Sequence, residues 1–171
     1  MRWLLHVAWC VPVAAAFTDA CASVVRVDGT SMQPTLNTDI ASGCEWVLVE
    51  KVSYKWLRRY SRGDVAVFWA PDNPHQQLVK RLVGLEGDAV WELGHAEPTP
   101  VPQGRCWVEG DHAAASGDSR NLYGPIHLGL LEGRVTHVVW PPHHIRQVAR
   151  HVPQGRLAVA ARATGEYPPG L

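Results

Sequence analysis

The sequence predicts a mainly β domain behind one apolar amino-terminal helix, and three observations carry that prediction. From residue 24 onward, short runs rich in Val, Leu and Trp are broken by Gly, Pro, Asn and Asp, which is the pattern of strands and turns. Residues 3–17 form a single apolar block. The composition, 46% hydrophobic with 15 Gly and 13 Pro in 171 residues, suits one core of short elements and excludes wholesale disorder. The 16 Lys and Arg balance the 16 Asp and Glu, so the chain has no global field to hold a polyanion, and no nucleic-acid partner is expected.

The apolar block is interrupted only by His6 and is flanked by Arg2 and Asp19. Its length as a helix is roughly 22 Å against a hydrocarbon core of roughly 30 Å, so a full crossing has to extend through Thr18 toward Val25. Pro12 is tolerable there with a kink. The block reads as a retained membrane anchor, as a signal cleaved among the small residues 15–22, or as a buried helix. The anchor is the reading that fits the rest of the chain. The resulting division is a membrane anchor over 1–23, a β domain over 24–142 and a carboxy-terminal tail over 143–171.

Within the β domain, strands are expected at 24–27, 45–52, 64–69, 76–85, 89–93, 105–109 and 135–140. Turn signals lie at Arg62-Gly63-Asp64, Pro71-Asp72-Asn73-Pro74, Glu86-Gly87-Asp88 and Glu109-Gly110-Asp111. The tail, with His143, His144, Arg146, Arg150, His151, Arg156 and Arg162, reads as solvated and basic. His143-His144 has no cysteine or carboxylate beside it, and Cys10, Cys21, Cys44 and Cys106 form no paired motif, so no metal or other cofactor is expected.

Ser31 lies in Val27-Asp28-Gly29-Thr30-Ser31-Met32-Gln33-Pro34, a turn between a strand and a proline-fixed segment. A serine there is ordinarily a turn residue, and it becomes a nucleophile only with a base. Lys80 is the candidate base. Strand alternation puts it on one face with Leu78 and Leu82, while Arg81 faces the other way with Val79 and Val83. A strand lysine ordinarily snorkels to water. One held among apolar neighbours loses its proton more readily, and a drop of roughly 3 units from about 10.4 would make it a general base near neutrality. A third loop, Gly110 through Asn121, offers Ser116 to orient an amine and Asp118 to pair with Arg120.

Four blocks occur in order: Gly29-x-Ser31-Met32-x-Pro34-Thr35-Leu36, Arg62-Gly63-Asp64-Val65, Lys80-Arg81 with Gly84-Leu85-x-Gly87-Asp88, and Gly110-Asp111 through Ser116-x-Asp118-Ser119-Arg120. Together, over about residues 25–142, they resemble the type I signal peptidases. The small spacing between blocks resembles the compact mitochondrial inner-membrane branch of that family rather than the larger bacterial enzymes. The runs 107–112, 124–131 and 136–142 resemble the second of that branch's two subunit types.

The resemblance implies a signal-peptidase-like β fold and a membrane-anchored serine endopeptidase. In it Ser31 is the nucleophile, Lys80 the base and Ser116 the residue that helps orient the amine. Asp118 and Arg120 become a structural pair, Met32 and Pro34 shape the nucleophile turn, and the Ser31 N–H is one oxyanion donor. Gly29 stands where some bacterial relatives carry a second, hydroxyl donor, and His112 stands where an asparagine is usual. The implied substrates are precursor proteins, bound as an added strand and cut after small residues to release sorting peptides in the intermembrane space. The implied partners are membrane lipid and the related first subunit. Alternatives are a signal peptidase of a secretory, plastid or bacterial membrane, a subunit that only presents substrates, and a Ser31–His112 pairing.

Overall fold

The computed structural model describes residues 16, 18–38, 44–92 and 97–158. The expected anchor therefore lies almost wholly outside the described residues, among which no helix is long and apolar enough to cross a membrane. Residues 18–20 are helical and lead directly into the first strand.

The described strands are β1 (Ala22–Val27), β2 (Glu45–Glu50), β3 (Val65–Trp69), β4 (Gln77–Leu85), β5 (Ala89–Val90), β6 (Thr99–Pro100), β7 (Arg105–Glu109), β8 (Ile126–His127), β9 (Leu131–Trp140), β10 (Arg146–Gln147) and β11 (Leu157–Ala158). The larger sheet runs β1-β2-β9-β3-β4-β7-β8, with β10 added to β9, and the smaller runs β11-β5-β6. All the pairings are antiparallel. The mainly β class expected from the sequence is what the chain adopts.

β2 has the alternation of a strand with one wet face, since Glu45, Val47 and Val49 are buried while Trp46 is exposed. β3 has no such alternation, because it separates two cores. Val65 and Val67 pack with Val27, Met32, Leu36 and Val47 on one side, whereas Ala66 and Phe68 pack with Tyr54, Leu82 and Val108 on the other. Met32 and Leu36 belong to the turn that carries Ser31, so burying them pins that turn to the sheet.

Several element ends differ from expectation. β2 stops at Glu50, and Val52–Trp56 instead forms a single π-helical turn that buries Tyr54. β9 begins four residues earlier than expected, at Leu131, because Leu131 and Gly133 already pair with β3. β5 keeps only Ala89–Val90 of the expected 89–93, and the other two-residue strands, β6, β8, β10 and β11, are too short to show a period in sequence.

Residues 144–158, read as part of a solvated tail, pack onto the body through buried partners that single-sequence reasoning could not assign. Arg146 binds Glu45 and the Thr35 carbonyl, Val148 packs on the first core, Arg150 pairs with Asp64, and Arg156 with Glu109. Cys44 and Cys106 are both free thiols; Cys106 is buried, and burial pushes its pKa up to about 12.

β2 and β9 cross closely at Gly133, where a Cβ would stand 2.6 Å from the Glu50 carbonyl oxygen and 2.8 Å from Val49 Cγ1. A strand backbone cannot yield there without breaking ladder bonds. Gly133→Ala is therefore expected to cost about 2 kcal/mol or more, read as a lower denaturation midpoint at unchanged slope.

Candidate active site

The turn after β1 is built by its own backbone. Gln33 N–H donates to Thr30 O at 3.0 Å and Leu36 N–H to Met32 O at 2.9 Å, with Gly29 at φ +91° and a cis Gln33–Pro34 bond between them. Asn37 closes the loop: its Nδ2 donates to Val27 O and Gly29 O, each at 2.9 Å, and its N–H donates to Glu45 Oε2. Ser31 is left half-buried at the apex.

Ser31 and Lys80 line one cleft of about 370 Å³, walled by Val25, Val27, Met32, Leu78 and Val79 and flanked by β1 and the first half of β4. Lys80 is 4% exposed. Its strand lies beside β3 with Lys80 opposite Ala66, and its face is shared with Leu78 and Leu82. Burial lowers its pKa below the ordinary lysine value; the charge of Asp118 works against that fall and the charge of Arg120 with it. Among the described residues no carboxylate reaches ion-pair distance of its amine, because the nearby acid, Asp118, is engaged elsewhere.

Asp118 is fully buried and gathers the third loop. It accepts from Ser116 Oγ at 2.6 Å, from the Gly110 N–H at 2.8 Å and from Arg120 through Nε and NH2, the latter at 2.5 Å. Burial alone would raise its pKa; these donors outweigh it and hold the carboxyl below its usual value of 3.8. Because Ser116 spends its proton on Asp118, its oxygen lone pairs remain as acceptors. Gly110 permits this loop to meet the Ser31 turn, since a Cβ there would overlap Ser116 Oγ and the Ser31 carbonyl oxygen. The His112 N–H donates to that same carbonyl at 3.0 Å, while its side chain is exposed and does not line the cleft.

Arg81, next to Lys80 and on the opposite face, ties the pieces together. It is 2% exposed, grips Asp111 through Nε at 2.8 Å and NH2 at 2.6 Å, and donates to Gly63 O at 2.7 Å and Thr35 Oγ1 at 3.1 Å. Thr35 in turn donates to Asp111 Oδ2 at 2.5 Å. One guanidinium thus joins the Ser31 turn, the Lys80 strand and the loop that carries Ser116.

Chemically, the cleft combines a half-buried hydroxyl, a buried amine with a lowered pKa, and two strands whose edges lack a second neighbour. β1 pairs only with β2, and residues 77–80 of β4 pair only with β3 among the described residues.

The family model described as signal peptidase, peptidase S26, matches residues 1–96. Mitochondrial inner membrane protease subunit 2 of Danio rerio is 42% identical over 149 residues, 85% of this chain and 79% of that protein. The chain belongs to the signal peptidase family, peptidase S26. The Saccharomyces cerevisiae subunit 2 is 39% identical over 143 residues, covering 81% of this chain and 79% of its own. Subunit 1 from Schizosaccharomyces pombe is 38% identical over 136 residues, 75% of this chain and 81% of its own length.

In this member of the signal peptidase family, the cluster contains partners that sequence reasoning passed over. Thr35 and Asp111 stood inside the quoted motifs without a role. The Arg81–Asp111 pair could have been suspected from a lone arginine on an inward strand face. Nothing in the sequence links Glu45 to Arg146 or Glu109 to Arg156, which meet only through tertiary packing.

Asp118→Asn keeps the shape but removes the charge that Arg120 and Ser116 serve, so it is expected to lower stability by roughly 2–3 kcal/mol at neutral pH. The folded carboxyl titrates below the unfolded one, so the wild-type advantage is complete above 3.8 and is lost only as pH falls through the lower, folded value. Denaturant unfolding across that range should show the two proteins converging only under acid conditions.

Proposed function

We propose that the chain is a membrane-anchored serine endopeptidase that removes sorting peptides from precursor proteins, with Ser31 as nucleophile and Lys80 as general base. The observation that carries this reading is the pairing of a serine with a buried, ion-pair-free lysine in one cleft. Family membership supports the peptide-bond chemistry.

In the proposed reaction an extended precursor segment enters between β1 and residues 77–80 of β4, adding a strand to the unpaired edges. Small side chains on the substrate fit beside Met32 and the turn shaped by Pro34. Neutral Lys80 takes the Ser31 hydroxyl proton as Oγ attacks the scissile carbonyl, and the Ser31 N–H faces the developing oxyanion. The lysine then gives that proton to the leaving amine, and the acyl-enzyme remains. Water attacks it, losing a proton to Lys80; the bond from the acyl carbon to Ser31 Oγ breaks, the lysine returns that proton to Oγ, and the carboxyl product leaves. Ser116, fixed by Asp118, accepts from the amine and keeps it aimed, while Arg120 fixes Asp118.

The names of the relatives support a location in the mitochondrial inner membrane and a partnership with a related first subunit. The apolar block at 3–17 supports anchoring in lipid, with the β domain on the intermembrane-space side.

Ser31→Ala and Lys80→Met are each expected to lower kcat/KM on a peptide with a small residue before the cut by about a thousandfold or more, with folding retained. Lys80→Arg should be equally inactive, because arginine stays charged. The wild-type rate should climb with pH through an ionisation below 10.5, the ordinary lysine value. Full activity in purified Lys80→Met would sink the dyad.

A further inference from the structure

After β2 the chain reads Lys51-Val52-Ser53-Tyr54-Lys55-Trp56-Leu57-Arg58-Arg59. Tyr54 roots this segment: it is 1% exposed, donates its hydroxyl to Asp64 at 3.2 Å, and meets Tyr60 edge-on at 5.0 Å between ring centroids. The outward side is unlike an ordinary solvated turn. Trp56 is 68% exposed and Leu57 53% exposed, and Lys55, Arg58 and Arg59 beside them are exposed as well.

This segment is bonded to the end of the apolar amino-terminal block. Trp56 Nε1 donates to Ala20 O at 3.0 Å and Lys51 Nζ to Thr18 O at 2.9 Å. The indole N–H is therefore satisfied while its ring stays uncovered, the arrangement that tryptophan adopts at a membrane–water boundary. The neighbouring acids do not cancel the positive charge. Glu132 takes Lys55 at 2.7 Å and Glu50 lies against Arg134, Asp19 lies on the side of Lys55 and Trp56, and Lys51 bonds the Thr18 carbonyl. Arg58 and Arg59 have no ion-pair partner among the described residues. In a chain of zero formal charge, this is a local basic face.

We propose that residues 51–59 rest on an anionic phospholipid surface, with Trp56 and Leu57 at headgroup depth and Arg58 and Arg59 on lipid phosphates. The inference builds on the reading of residues 3–17 as a membrane anchor, because a block inserted as far as the helical residues 18–20, where β1 has not yet begun, brings the bilayer surface to this face. In a second exposed apolar patch, Val24, Trp46 and Trp140, the cation opposite Trp46, Arg26, is already paired with Asp28 at 3.1 Å.

The test uses the full chain in phosphatidylcholine vesicles, with and without phosphatidylglycerol, carrying lipids brominated near the headgroup. The Trp56 signal is taken as the difference between wild type and Trp56→Phe. Quenching of that difference signal is expected in the anionic vesicles and should be lost in an Arg58→Glu/Arg59→Glu double variant. The double variant should cleave a vesicle-inserted precursor on the order of tenfold more slowly, yet match wild type on a soluble peptide in detergent, which also certifies its fold.

No quenching in a chain that resists alkaline extraction overturns the docking face and leaves the anchor reading intact. A chain released by alkali overturns the anchor reading and the docking face together. Quenching that ignores both phosphatidylglycerol and the charge reversal overturns the assignment to anionic lipid. Shielding of Trp56 only when the related first subunit is added would assign the face to protein and overturn the proposal.

Discussion

Burial makes an ammonium expensive, and at Lys80 that cost lowers the pKa below the ordinary lysine value despite the opposing pull of the Asp118 charge. Lys80 sits in the middle of a strand, 4% exposed, with aliphatic side chains around it. The charge closest to relieving it, Asp118, already serves Arg120, Ser116 and two backbone amides. A carboxylate bonded directly to the lysine would have stabilised the ammonium and opposed the role proposed for Lys80. The rest of the site can be read as the means of keeping that carboxylate busy while holding a hydroxyl close by.

The division of labour between Lys80 and Arg81 follows from strand geometry. Adjacent strand residues face opposite sides, so one cation is placed among apolar groups and its neighbour among acceptors. Arg81 is as deeply buried as Lys80, yet its guanidinium is met by Asp111, Gly63 O and Thr35. Its bonds reach the three segments that carry Ser31, Lys80 and Ser116. The strap at 144–158 braces the same assembly from outside, with Arg146 holding both Glu45 and the Thr35 carbonyl.

Much of this was legible in the sequence because it is local. The strand period placed Lys80 with Leu78 and Leu82 and turned Arg81 the other way, and the packing agrees. The Gly-Asp and Pro-Asp-Asn-Pro signals fell at real turns, and the Asp118–Arg120 spacing suits the ion pair they form. What was not legible is what depends on residues far apart in the chain. The folding-back of the basic tail rests on Glu45–Arg146, Asp64–Arg150 and Glu109–Arg156, each pair separated by tens of residues with no motif joining them. The π-helical turn at Val52–Trp56 was hidden because Val52 prolongs the apolar run of β2 past Lys51, and only the burial of Tyr54 on a second core bends the chain away.

The most direct test of a neutral lysine is its own titration. In Ser31→Ala protein, which cannot turn over, the Lys80 side-chain resonance, assigned by its loss in Lys80→Met, can be followed by NMR as pH is raised. The account requires a midpoint well below 10.5, and a midpoint at or above that value would contradict it.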